Sequence, residues 1–66
     1  MAIDGSYYSL YLLRTLRDME DSRMNDDNYI NDRADLAAST FESERRAGAT
    51  VDQAQELAMH ILLEDL

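Results

Sequence analysis

The last sixteen residues carry apolar side chains in a helical rhythm too broad for one buried stripe. With Val51 at 0° and 100° per residue, Val51, Ala54, Leu57, Ala58, Ile61 and Leu62 fall in one arc. Met59, Leu63 and Leu66 carry the arc sideways to roughly 240°, whereas a surface helix of a small domain needs about 100–140°. The pattern predicts a helix over 51–65. It predicts a cover for the remainder, supplied by another helix, a second copy or a partner. The start of this helix is marked by Thr50-Val51-Asp52-Gln53. Thr50 can accept from the Gln53 amide while the Gln53 side chain reaches back to Thr50, which is a capping box.

Two further helices follow from the same reasoning. Over 6–22, Tyr8, Leu12, Leu16 and Met19 recur at helical spacing, flanked by Leu13. Leu10, Tyr7 and Tyr11 lie further round, and Ser6 or Asp4 is the expected N-cap. The run 23–28 is rich in Asn and Asp, which bond locally to the backbone and favour turns and caps. Asp26 or Asp27 then caps a helix over 27–47. There Ile30, Ala34, Ala37, Ala38 and Phe41 form a narrow stripe, with a weaker one of Tyr29, Leu36 and Ala47. Arg45 and Arg46 suit the negative end of the helix dipole, and Gly48 supplies a left-handed stop. Strand signals are weak, since alternation is absent and β-branched residues are few. The predicted fold is all-α: one compact three-helix domain over residues 1–66 (about 6–22, 27–47 and 51–65), completed by self-association.

Size sharpens the point about cover. A 66-residue domain buries only about 60% of the surface its unfolded chain exposes, so its stability is marginal. The chain has no cysteine, which removes disulfides and thiolate metal sites and fits a cytoplasmic protein. Oligomerisation is the remaining stabiliser. No apolar run reaches 18 residues, and the acidic N-terminus lacks the pattern of a signal peptide, so neither a membrane span nor secretion is expected. Net charge is −8, from 14 acids and six bases, all of them arginine. That balance opposes direct binding to nucleic acid, favours solubility and suits a basic partner.

The candidate chemistry is thin. His60 has Glu56 and Glu64 one turn either side, on one helical face. No further ligand or nucleophile is indicated, so this is read as a surface histidine, with no metal or other cofactor. The acidic run from Asp18 to Asp32 offers no register with glycine at position six and glutamate at twelve, which excludes an EF-hand. Ser39, Thr40 and Ser43 lie mid-helix without an elbow motif. Tyr7, Tyr8 and Tyr11 cluster, but base stacking would need basic neighbours. Tyr8 is expected in the core, with Tyr7 and Tyr11 as an interface pair.

Four segments together resemble a family of small Bacteroidetes proteins, a domain of unknown function often encoded near conjugative or other mobile elements. They are Ser6-Tyr7-Tyr8-Ser9-Leu10, Arg33-Ala34-Asp35-Leu36-Ala37-Ala38, Gly48, and Ala54-Gln55-Glu56-Leu57-Ala58. The resemblance covers most of the chain and implies an α-helical fold without an assigned activity. It also implies a few residues beyond the equivalent of Leu66, a tail that would cover Met59, Leu63 and Leu66. Thr40-Phe41-Glu42-Ser43-Glu44 is similar to the inhibitory helix of small antitoxins of AMP-transferring Fic toxins, although Arg45 stands where that motif has Gly or Asn. In that family the glutamate pairs with a toxin arginine and obstructs nucleotide binding, the role Glu44 would take here.

The expected function is therefore a small acidic interaction module, not an enzyme. It binds itself or a protein partner through Tyr7, Tyr11, Met59, Leu63 and Leu66. The alternative is an acidic inhibitor acting on a basic target, either an antitoxin using Thr40 and Glu44 or a mimic of nucleic acid.

Overall fold

The computed structural model describes residues 7–64 and residue 66. Three helices account for it: α1 (Tyr7–Asp18), α2 (Asp27–Arg46) and α3 (Val51–Leu62). A 3₁₀ turn at Ser22–Asn25 joins the first two. Of the described residues 81% are helical, and no strand occurs among them. Its extents are 37 × 22 × 15 Å. The long dimension is set by α2, whose 20 residues span about 30 Å at 1.5 Å each. The short dimension is the depth of two packed helix layers, whose axes lie about 8–10 Å apart. Helix faces turned out of such a slab meet solvent.

The pair α2–α3 forms the base of the fold. The Arg33 guanidinium and the Glu64 carboxylate, near opposite ends of their segments, meet at 3.6 Å, so α3 runs back along α2. Small side chains bring the helices together: Ala34, Ala37, Ala54 and Ala58 are all buried. Larger ones fill the junction with α1. Leu12, Leu16, Ile30 and Leu62 are fully buried, with Tyr8, Leu13, Met24, Tyr29, Phe41, Met59 and Leu63 packed around them. Ser9 is fully buried too. It is a small residue at a place where α1 approaches its neighbours closely.

The helix ends follow the expected chemistry, with one exception. The Asp26 carboxylate accepts the Tyr29 amide at 3.0 Å and caps α2. The Thr50 hydroxyl accepts the Gln53 amide at 3.1 Å, and Gln53 Oε1 accepts the Thr50 amide at 3.1 Å, closing the capping box. Helix α2 ends in a Schellman motif. The Ala49 amide donates to the Glu44 carbonyl, the Gly48 amide donates to the Arg45 carbonyl, and Gly48 sits at φ 100°. Helix α1 ends in the same motif without a glycine. Asp21 donates to the Leu16 carbonyl, Glu20 to the Arg17 carbonyl, and Glu20 takes φ 55°.

That unexpected stop corrects the predicted boundary of the first helix, which ends at Asp18 and not at 22. Met19 leaves the core stripe with it and is 50% exposed. The expected N-caps Asp4 and Ser6 lie outside the described residues. Helix α2 stops at Arg46, within a residue of expectation, and Leu36 and Ala47 of its weaker stripe are exposed. Helix α3 stops at Leu62 instead of 65, so Leu66 lies beyond the helix and the angular position assigned to it does not apply. Its apolar arc is also only partly covered. Ala54, Ala58 and Leu62 are buried, whereas Val51 and Leu57 are 54% and 43% exposed and Ile61 is half-buried. Val51 shares the angle of the buried Ala58 and Leu62 but stands in the first turn, at the end of the helix, whereas Leu57 lies about 100° round from the centre of burial.

Candidate interaction surface

Helix α1 carries the broadest apolar surface left in solvent. Its inward side is Ser9, Leu12 and Leu16. At 100° per residue, Tyr7, Leu10, Tyr11 and Arg14 project from the opposite side, and they line one shallow depression. Tyr7, Leu10 and Tyr11 are 59%, 53% and 40% exposed. The Tyr7 and Tyr11 rings lie 6.0 Å apart and tilted, and Tyr7 meets Tyr8 edge-on at 5.4 Å. These contacts restrain the rings at low entropic cost, a property that suits aromatic contact residues. Among the described residues, neither Arg14 nor Arg17 forms an ion pair.

The other expected surface residues fall into a different setting. Met59 and Leu63 are half-buried and packed against the core, so part of the excess arc on α3 is hidden by the chain's own helices. Their outer edges line a shallow depression with Glu56, His60 and Glu64. Leu66 is 37% exposed, and its amide donates to the Leu63 carbonyl at 3.2 Å. Between the two groups stands Tyr8. Its hydroxyl donates to Gln55 Oε1 at 2.8 Å, tying α1 to α3 one turn before Met59. Burial, and then the neighbouring Tyr7, push the Tyr8 phenol above its ordinary value.

Thr40 and Glu44 stand one turn apart on α2. The Thr40 hydroxyl donates to the Leu36 carbonyl at 2.9 Å and so bonds within its own helix. Glu44 is half-buried and lines a depression of about 370 Å³ with Ala49, Gln53, Glu56, Leu57 and His60. Around the 3₁₀ turn a separate polar cluster forms. The Asp21 carboxylate accepts the amide, Nε and a terminal nitrogen of Arg23, the last at 2.7 Å. These bonds hold the Asp21 carboxyl at about 2, below its ordinary 3.8. The guanidinia of Arg23 and Arg33 lie 5.2 and 5.9 Å from the Tyr29 ring centre, a double cation–π contact. Among the described residues no group of three or more His, Asp or Glu side chains could hold a metal ion. No described helix is long and apolar enough to cross a membrane.

Comparison with known proteins matches the family described as Domain of unknown function (DUF1896) over residues 2–66. The chain belongs to the DUF1896 family. No curated protein and no solved structure matches it. For this DUF1896 chain, the interface residues named from the sequence leave out Leu10 and Leu57, both exposed. Leu10 was placed only as lying further round α1, although its spacing with Tyr7, Tyr11 and Arg14 was a sufficient signal. Leu57 stands in the sequence only as one member of the apolar arc, and nothing in the periodicity distinguishes which edge of a 240° arc a neighbouring helix will cover.

Proposed function

We propose that this DUF1896 domain is a non-enzymatic interaction module whose contact surface is the outward face of α1. The observation that carries the reading is that the core is complete without Tyr7, Leu10 and Tyr11, yet these three stand together in solvent. Tyrosine is enriched at interfaces because it supplies large contact area with few rotatable bonds. The residues best suited to chemistry serve structure: Tyr8 bonds to Gln55, Thr40 to its own helix and Asp21 to Arg23. The net charge of −8 favours a protein over nucleic acid as partner and matches a cytoplasmic, acidic, soluble chain. A Bacteroidetes source near a mobile element is part of the proposal, resting on the four segments quoted above, and gene neighbours would test it.

The test is affinity capture with the purified, tagged chain as bait in bacterial lysate. Tyr11→Glu should abolish retention of a bound partner other than the chain itself, and Glu44→Ala should leave that retention. The reverse pattern would replace this reading with an acidic inhibitor working through Glu44.

A further inference from the structure

The charge of the chain is unevenly spread, and that unevenness selects an occupant for the α1 face. Helix α1 holds Arg14, Arg17 and Asp18 and is the one helix with more bases than acids. Its apolar patch thus ends on two exposed guanidinia without an ion pair among the described residues. The depression of about 370 Å³ between the C-terminal end of α2 and α3 carries two carboxylates, with His60 in its lining and the Arg45 guanidinium at its rim, donating to the Ala49 carbonyl at 2.8 Å. Leu57 gives it an exposed apolar wall, and Glu44 and Glu56 are carboxylates with no ion pair among the described residues.

We infer that the α1 face docks into the α2–α3 depression of a second copy of this chain, a head-to-tail contact that rests on the interaction-module reading. Tyr7 or Tyr11 enters beside Leu57, and Arg14 meets Glu44 or Glu56. Unlike surfaces on one molecule make a heterologous interface, which propagates beyond the dimer unless it closes into a ring.

Sedimentation velocity of the purified full chain and two variants decides the matter. Tyr11→Glu disables the α1 face and Leu57→Glu disables the depression. Both positions are exposed, and far-UV circular dichroism verifies that the helices persist. Wild type should form a concentration-dependent series extending beyond the dimer. Each variant alone should associate at least tenfold more weakly. An equimolar mixture should sediment as a dimer of one chain of each kind, since one good face of each kind remains. High salt should weaken all of these contacts. A wild type that stays monomeric at all concentrations overturns the inference, as does a mixture that does not pair. Association that survives Leu57→Glu but not Tyr11→Glu overturns the head-to-tail contact while leaving α1 as the interface. If purified wild type is monomeric but Tyr11-dependent capture from lysate persists, the module reading stands and only the self-docking fails.

Discussion

Glu20 holds a left-handed backbone at φ 55° with a side chain that ordinarily avoids it. That conformation costs a non-glycine residue about 1–2 kcal/mol. Glu20→Gly should therefore raise stability by about 0.5–1 kcal/mol after the added freedom of the unfolded chain is subtracted. Thermal unfolding would register it as an increase of about 2–8 °C for a domain of this size. Gly48→Ala should do the reverse, losing about 1 kcal/mol. No atom lies within 4 Å of the added methyl, so that loss would be backbone strain without a clash. Asp21 supplies the pH dependence at this scale. Its folded value, about 2, is below its ordinary 3.8. The stabilisation is thus present above about pH 3.8 and lost as pH falls towards 2. The stability gap between wild type and Asp21→Asn should close over that window. An Asp21 midpoint near 3.8 by NMR titration would refute the assignment.

Helices α2 and α3 were legible in the sequence to within a few residues because their starts are written in local chemistry. Asp26 and the Thr50/Gln53 box act through bonds to amides three residues away, and no distant part of the fold is needed. Thr50→Ala removes the hydroxyl acceptor and should cost about 1 kcal/mol, read as a lower urea midpoint at unchanged slope. The end of α1 was not legible in this way. Glycine marks the stop after α2, but the stop after α1 uses Glu20, which carries no propensity signal for it. There the constraint comes from outside: Asp21 is held by Arg23, and Arg23 leans on Tyr29 of α2. Amphipathic period predicted that each helix has an apolar side. It did not predict which residues of α3 are covered, because Val51 and Leu57 are as apolar as the residues that are buried.

For the whole molecule, the margin is small. At about 0.05–0.15 kcal/mol per residue, a domain of this length holds roughly 3–10 kcal/mol. Leu16→Ala or Leu62→Ala empties a fully buried site in a core with few large side chains, and should cost about 2–5 kcal/mol. Either variant should be largely unfolded at 37 °C by circular dichroism. Leu10→Ser, on the outward face, should leave stability within about 0.5 kcal/mol of wild type.

The sequence alone determined the all-α class, the caps of α2 and α3, the glycine stop and the acidic surface, since each depends on side chains within a turn of one another or on plain composition. Tertiary structure decided the rest. It chose which part of an overly wide apolar arc turns inward, made Met59 and Leu63 partial core residues, and left Tyr7, Leu10, Tyr11 and Leu57 outside. The physical reason is geometric. In a slab two helices deep, a helix can be covered only where a neighbour lies, and the position of that neighbour is a property of all three helices packed together.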